Sequence, residues 1–256
     1  FAYHGKTQLR DTLFLVEAME FLGFMSVLSH AYEKAIEVSE NGLKLFDQYG
    51  VKNNEDYELK AKLYYNLSLV YNNQFLDIPQ KEYQYTLESE EVLTKMDNPD
   101  TEQLVLVYRR LALFERDYRN YKNANGYINK ALRLHEQHKE SIRAKVGVGF
   151  KLELALYRAL ITIRMESGDE QGMLETLVKI ENIAEKNALD ETEKGAYKGA
   201  LRQISNYYLY QEKDPDEALT YIDKARRIHL DAKKSTHDID SYDRGIELQL
   251  AEAYFL

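Results

Sequence analysis

Residues that interrupt helices are rare in this chain, which has 3 prolines and 12 glycines among 256 residues. Sheet proteins of this size need many more turn residues, because strands are short and each one ends in a turn. The composition therefore favours long helices and argues against β-sandwiches, β-barrels and collagen-like folds. With 44% hydrophobic and 30% charged residues, the chain is globular rather than disordered.

The charge balance is acidic, with 34 Lys and Arg against 43 Asp and Glu and a formal net charge of −9. Such a chain is a poor non-specific binder of nucleic acid or anionic membranes. The sequence contains no cysteine, which excludes disulfides, thiolate zinc sites and cysteine nucleophiles. The longest apolar stretch, Leu13 to Leu28, includes Glu17 and Glu20, so we interpret it as a buried helix rather than a membrane span.

One pattern recurs along the chain. A bulky residue is followed three positions later by Leu or Ile, then by a small residue, and small residues return seven apart after a turn. The clearest copy has Tyr108, Leu111 and Ala112, followed by Ala124 and Ala131. The corresponding Leu or Ile residues are separated by 45, 44, 49, 44 and 46 positions and are Leu22, Leu67, Leu111, Leu160, Ile204 and Leu250.

From about Val16 to Leu256 this pattern resembles the tetratricopeptide repeat (TPR), with a period about ten residues longer than the usual 34. The resemblance implies an all-α fold, a right-handed α/α superhelical solenoid of TPR-like helix pairs with an elongated repeat. We expect one repeat domain over residues 1–256, made of about five helix pairs and a final helix. Small residues let paired helices approach closely, and each pair buries an apolar face of the next. A large irregular helical bundle with chance spacing is the alternative.

Breakers and capping residues divide the chain into eleven predicted helices. Asn98-Pro99-Asp100 ends one helix and begins the next, and Ser167-Gly168-Asp169 and Asp214-Pro215-Asp216 are tight turns. The predicted spans are 7–28, 31–49, 56–75, 79–97, 101–117, 121–138, 141–166, 170–187, 190–212, 215–232 and 240–255.

Few residues indicate catalysis or metal binding. Gly147-Val148-Gly149 lacks the Lys and the third Gly of phosphate-binding loops, so we place it in a helix at a close crossing. His135 and His138 lie near one helix face without a third ligand or a metalloprotease Glu, and we interpret both as exposed. We therefore predict that the chain is not an enzyme and has no cofactor and no metal site.

The resemblance also implies a binding surface, because the first helix of each TPR unit lines the concave side of the stack. Numbering each unit so that its Leu or Ile is position 7 places Arg109, Arg158 and Arg202 at position 5 of three consecutive units. Guanidinium groups bind carboxylates and phosphates, and Asn side chains pair with extended peptide backbone. In the alternative, these Arg residues pair with carboxylates of the chain itself, such as Glu115, Glu153 and Glu166. The predicted peptide-binding residues are Arg109, Arg158, Arg202, Tyr65, Asn66, Asn73, Arg110, Gln203 and Asn206.

These features predict a non-enzymatic domain that binds a protein or peptide, with an acidic segment favoured as partner and no nucleic acid bound through this domain. The resemblance favours the sensing or interaction part of a bacterial regulator, with a periplasmic location slightly ahead of a cytoplasmic one. The alternatives are a cytoplasmic peptide-responsive transcription regulator without its DNA-binding domain, and a purely structural scaffold. The final helix is apolar at Leu248, Tyr254 and Phe255, so we expect a second copy or further sequence to cover it.

Overall fold

The structure is a computed structural model, and we describe residues 2–72, 76, 78–145 and 149–233. That part of the chain is helical and contains no strand, which confirms the predicted all-α class. A π-helical segment, Tyr208–Glu212, directly follows α9. The helices are α1 Ala2–Leu28, α2 Tyr32–Tyr49, α3 Asn54–Tyr71, α4 Pro79–Thr94, α5 Thr101–Asp117, α6 Tyr121–Arg143, α7 Lys151–Glu166, α8 Glu170–Lys186, α9 Glu191–Tyr207 and α10 Pro215–Lys233.

The chain divides into two compact units, Phe1–Phe114 and Glu115–Leu256. In the first unit α1 packs on α2 and α3 packs on α4, and both α1 and α2 contact α3. In the second unit α7 packs on α8 and α9 on α10, while α7 also contacts α6 and α9. Successive helix pairs are the arrangement that the repeat predicts, and the helical-repeat fold class is confirmed. The assignment of residues 1–256 to one domain stays a prediction.

Four of the turns inside helix pairs, among the described residues, place a left-handed residue at the same point. Immediately before the cap of the second helix lies a residue with left-handed backbone, where φ is between 57° and 77°. In three of these turns the N–H of the following residue donates to the carbonyl five positions earlier at 2.8 Å, as from Ala31 to Ser26 and from Asp169 to Arg164. This geometry confirms the register, because Leu22, Leu111 and Leu160 each precede the left-handed residue by eight positions. The left-handed residues are His30, Arg119, Gly168 and Lys213.

The last of these pairs contains one additional residue. Ile204 precedes Lys213 by nine positions, and the π-helical segment between them accommodates the insertion. The N–H of Asp214 accordingly donates to the carbonyl of Tyr208, six positions earlier, at 2.8 Å. Ile204 is therefore still the equivalent of Leu22, Leu111 and Leu160, although its distance to the turn is one residue longer.

Small residues lie where helices approach closely, as the repeat pattern predicts. Ala112, Ala124 and Ala131 are fully buried. A Cβ atom built on Gly42 of α2 would lie 2.8 Å from Cδ1 of the buried Leu63 of α3. Glycine is therefore the residue that this crossing accommodates without rearrangement.

The structure corrects the predicted boundary between the sixth and seventh helices. The sequence predicted a helix over 141–166, whereas α6 continues to Arg143 and α7 begins at Lys151. Gly149 was predicted to be helical, and this prediction is wrong. Its φ of 47° places it in the turn before α7. A Cβ atom there would lie 2.7 Å from Oε1 of Glu193, so the turn requires glycine. The predicted helix over 240–255, with Leu248, Tyr254 and Phe255, lies outside the described residues.

The apolar stretch Leu13–Leu28 is helical, but the prediction that it is buried was only half right. Val16 is 1% exposed and packs in the first unit, whereas Phe14 is 72% and Phe21 is 64% exposed. Within the described ranges, no helix combines the length and the apolar character that membrane crossing requires.

Candidate functional site

The predicted peptide-binding residues divide between the two units. Tyr65 and Asn66 lie on α3 and Arg109 and Arg110 on α5, all in the first unit. Arg158 lies on α7 in the second unit. The helix α9 carries Arg202, Gln203 and Asn206, and Asn73 lies outside the described residues.

In the first unit, Asn66 and Arg110 are engaged within the chain. Asn66 is 2% exposed, and its Nδ2 donates to the backbone carbonyl of Glu20 at 3.1 Å, which ties α3 to α1. Nε of Arg110 lies 2.8 Å from Oε1 of Glu82, a carboxylate in the first turn of α4. Asn72 donates to the other oxygen of Glu82 at 2.8 Å. Asn66 and Arg110 therefore both pair with groups of the chain itself, as the alternative to peptide binding expects of the arginines.

Tyr65 is partly buried beside the same network. Burial raises the pKa of its phenol, and the charges of Arg110 and Arg109 oppose that rise. Arg109 has a partner within the chain, and so do Arg202 and Asn206 in the second unit. None of these side chains is a free group awaiting a ligand.

Arg158 and Gln203, both in the second unit, differ from the other predicted residues. Nε of Arg158 and Oε1 of Gln203 are buried, and neither atom makes a hydrogen bond. The Nε atoms of Arg110 and Arg143 are also without a hydrogen bond, but these side chains form ion pairs with Glu82 and Glu153. Within the described part of the chain, Arg158 forms neither a side-chain hydrogen bond nor an ion pair. Buried polar groups are nearly always paired, so two unpaired groups on contacting helices require an explanation.

The two unpaired groups belong to α7 and α9, which contact each other. A Cβ atom built on Gly199 would lie 2.9 Å from Cζ of Arg158 and 3.2 Å from its Nε, so the guanidinium packs on the α9 backbone. Gln203 follows Gly199 by four residues and lies on the same helix face, one turn further along. One turn is about 5.4 Å of helix. The backbone of Gln203 therefore lies about one helical turn from the point where Arg158 packs on α9.

A carboxylate fixes the start of α7 against the start of α9. Asp190 caps α9, and Glu193 completes the capping box by accepting a hydrogen bond from the Asp190 N–H at 2.8 Å. The other oxygen of Glu193 accepts from the backbone N–H of Phe150 at 2.8 Å, immediately before α7. Hydrogen bonding from the Glu193 backbone N–H lowers the pKa of Asp190, whose carboxylate also lies 3.1 Å from Nζ of Lys151. These contacts hold the helices that carry Arg158 and Gln203 in one arrangement.

Each of the three carboxylates predicted as internal partners of the arginines contacts another group. Glu153 is paired with Arg143, and Glu166 lies 3.8 Å from Nε of Arg116. Glu115 accepts a hydrogen bond from Asn120 at 2.7 Å. Nε of Arg158 thus lacks the hydrogen-bond partner that the alternative expects, and its role in peptide binding stays a prediction.

His135 corrects a prediction, because it is 2% exposed rather than on the surface. Its Nε2 is unpaired, and burial lowers the pKa of its imidazole while the nearby Glu153 acts in the opposite direction. The sequence contained the signal for this burial, since residue 135 continues the spacing of the buried Ala124, Ile128 and Ala131 along α6. His138 is exposed as expected. Over the ranges with described side chains, no group of three or more His, Asp or Glu could hold a metal ion.

A separate cleft of about 420 Å³ lies in the second unit where α8, α9 and α10 meet. Its carboxylate Glu181 already pairs with Lys224 and accepts a hydrogen bond from Tyr197 at 3.5 Å. None of the predicted peptide-binding residues lines this cleft. Its lining is Glu181, Ala184, Glu185, Asn187, Ala188, Leu189, Lys194, Tyr197 and Ile228.

Comparisons with known proteins agree with a helical repeat. No protein-family model matches the chain. Clustered mitochondria protein homologs of Aspergillus oryzae and Aspergillus clavatus are 27% and 26% identical over alignments of 248 positions, which cover 88% of this chain. The chain spans only 19% of the length of these fungal relatives. The crystal structure of BtubC (BKLC) from P. vanneervenii matches with a TM-score of 0.70 and 16% identity, covering 93% of this chain and 87% of that chain. The structural match supports the helical-repeat fold.

Proposed function

We propose that this chain is a non-enzymatic, protein-binding repeat segment whose second unit holds an acidic, extended segment of a partner protein. The observation that carries the proposal is the pair of unpaired polar groups on α7 and α9, Nε of Arg158 and Oε1 of Gln203. A peptide supplies the complementary groups, because its carbonyls accept hydrogen bonds and its N–H groups donate them. Because the guanidinium of Arg158 is charged, a peptide with an Asp or Glu carboxylate near this group is preferred.

The geometry of the site suits an extended chain. Gln203 lies about one helical turn, some 5.4 Å, beyond the point where Arg158 rests on α9. An extended strand advances about 3.3 Å per residue, so the two contacts correspond to groups one or two residues apart. A charge-assisted hydrogen bond to Arg158 contributes about 1.5–3 kcal/mol when it is shielded from water.

The comparisons support this proposal at the level of the fold. Helical repeat proteins generally present extended surfaces to other proteins. The relatives named clustered mitochondria protein homologs match through a small part of their length, and we propose that this chain likewise forms a binding segment of a longer protein. These relatives are fungal, so the expectation of a periplasmic bacterial sensor has no support from them.

Peptide arrays test the proposal. The chain is applied to peptides that contain Asp or Glu and to matched peptides with Asn or Gln, and the affinity of each captured peptide is then measured in solution. We expect acidic peptides to be selected, and binding to weaken with added salt, since exposed ion pairs are screened.

Variants assign the binding to the site. Arg158→Ala and Gln203→Ala are each expected to weaken binding about tenfold, equivalent to about 1.4 kcal/mol. Arg158→Lys keeps the charge but removes the fork of N–H donors. It is therefore expected to bind more tightly than Arg158→Ala and more weakly than the native chain. Arg133→Ala removes an exposed arginine of α6 and is the matched control, with affinity unchanged. Equal binding by the native chain and the Arg158→Ala, Gln203→Ala double variant would contradict the proposal and favour a structural scaffold.

A further inference from the structure

The cleft between α8, α9 and α10 has the size and the lining of a ligand site. Its volume of about 420 Å³ lies within the range of about 300–1,000 Å³ that is usual for ligand pockets. Tyr197 supplies an aromatic side chain, and the rest of the apolar lining is aliphatic, from Ala184, Ala188, Leu189 and Ile228. We call this cleft the α8–α10 cleft.

Three charged side chains line the α8–α10 cleft, and two of them are paired with opposite charges. Glu181 pairs with Lys224 of α10, and Nζ of Lys194 lies 2.9 Å from Oε1 of Glu191. The third is Glu185, which forms neither an ion pair nor a side-chain hydrogen bond within the described part of the chain. The cleft therefore carries one negative charge to which the described residues supply no partner.

The carboxylate of Glu185 acts on the aromatic side chain of the cleft. Tyr197 is 7% exposed, and its hydroxyl donates to Oε1 of Glu181 at 3.5 Å. Burial raises the pKa of this phenol, and the negative charges of Glu181 and Glu185 raise it further. Glu181 and Glu185 are four residues apart and so lie on one face of α8. A ligand in the cleft therefore meets a negative charge and an aromatic ring together.

An arginine side chain has the chemistry that this combination accommodates. Long cationic side chains bury their methylene stems along apolar surfaces while the charged head reaches a polar partner. The guanidinium pairs with carboxylates through a fork of N–H donors, stacks on aromatic rings and is more weakly hydrated than an ammonium. A neutral or anionic ligand would leave the charge of Glu185 unpaired.

We propose that the α8–α10 cleft binds an arginine side chain of a partner protein, with the guanidinium paired to Glu185 and the methylene stem packed on Tyr197 and Leu189. This contact goes beyond the function proposed above, because it adds a second binding site for the opposite charge. Complementary charges at two sites select the register of a partner as well as its composition.

Methyl signals in nuclear magnetic resonance spectra of the full chain report on the cleft, since its four aliphatic residues carry methyl groups. The probe is a short peptide with one arginine between two leucines, and the matched peptide carries citrulline, which keeps the shape without the charge. We expect the arginine peptide to shift the methyl signals of Ala184, Leu189 and Ile228 along one saturation curve. The citrulline peptide is expected to bind about fivefold more weakly, and added salt should remove that difference.

Glu185→Gln removes the charge and keeps the size of the side chain. This variant is expected to bind the arginine peptide about fivefold more weakly than the native chain and to bind the citrulline peptide equally well. Glu175→Gln is the matched control, because Glu175 is an exposed carboxylate of the same helix about 15 Å from Glu185. Its affinity for the arginine peptide should be unchanged. Circular dichroism shows whether both variants keep their helices.

Three results would overturn the proposal. Equal affinities for the arginine and citrulline peptides would make the cleft an apolar site, and equal losses in both Glu variants would show a general attraction to an acidic chain. Methyl signals that neither peptide shifts would show that the cleft is filled or closed in solution. The Arg158→Ala, Gln203→Ala double variant should bind the arginine peptide normally, and Glu185→Gln should keep its affinity for acidic peptides. Failure of one proposal is therefore distinguishable from failure of the other.

Discussion

Replacing Gly199 with alanine separates the stability of α9 from the placement of Arg158. The matched control is Gly195→Ala, one turn earlier in the same helix, where a built Cβ has no atom within 4 Å. Alanine is favoured over glycine inside a helix by about 0.8–1.0 kcal/mol, so both variants gain that contribution. A gain of 1 kcal/mol raises the melting temperature by about 2–4 °C in a chain of this size.

At Gly199 the methyl group also displaces the guanidinium. It would lie 2.9 Å from Cζ of Arg158, whereas carbon atoms pack best at about 3.5–4.0 Å. The guanidinium must therefore move by about 0.6–1 Å. No hydrogen bond or ion pair holds it among the described residues, so the move costs little more than a rotamer adjustment of about 0.5–1.5 kcal/mol.

Thermal melting followed by circular dichroism measures the change in stability. Peptide affinity measures the effect of displacing the Arg158 guanidinium. We expect Gly195→Ala to raise the melting temperature and keep the affinity. Gly199→Ala is expected to leave stability within about 1 kcal/mol of the native chain and to weaken peptide binding about tenfold. Strong destabilisation by Gly199→Ala would show that Arg158 is held rigidly by contacts that we have not identified. Native affinity in that variant would show that the position of the guanidinium is irrelevant to binding.

Three further predictions concern the fold and are checked by thermal melting. Gly42→Ala places a methyl group 2.8 Å from the buried Leu63, and overpacking of about 1–3 kcal/mol outweighs the helix gain of about 1 kcal/mol; an unchanged or higher melting temperature would contradict the close crossing. Gly168→Ala meets no atom within 4 Å but imposes a φ of 77° on alanine, so we expect a loss of about 1–2 kcal/mol from backbone strain alone. Burial lowers the pKa of His135 in the folded chain. As the pH drops below about 6.5, the unfolded chain therefore binds a proton at His135 more readily than the folded chain does, and stability falls. His135→Leu should lose this component of the pH dependence, whereas the control His138→Leu, at an exposed position, should keep it.

Much of the fold follows from the sequence because its signals are local. The spacing from Leu111 to Arg119 and from Leu160 to Gly168 reflects one turn geometry, and breakers such as Asp214-Pro215 fix the helix starts. The boundary between α6 and α7 was misplaced because its determinant is distant. Gly149 adopts a positive φ beside Glu193, which is 44 residues away in the sequence.

The site was harder to predict for the same physical reason. Helical periodicity assigns a residue to a face, but whether Arg110 is free depends on Glu82, a carboxylate in another helix. Periodicity also does not reveal that Arg143 pairs with Glu153 whereas Nε of Arg158 is buried without a hydrogen-bond partner. The open side of α1 was missed because the stretch Leu13–Leu28 shows how apolar the helix is, not which neighbours cover it.

The most direct test of the central claim is the nuclear magnetic resonance signal of the Arg158 Nε–H group during titration with an acidic peptide selected on the array. The unpaired state of this group in the structure predicts a large shift on binding. We expect the signal to move with the same saturation as the affinity measurement, while the corresponding signal of the control Arg133 stays in place. If the peptide binds and the Arg158 signal does not move, the acidic segment is held elsewhere and the assignment of the site to α7 and α9 is wrong.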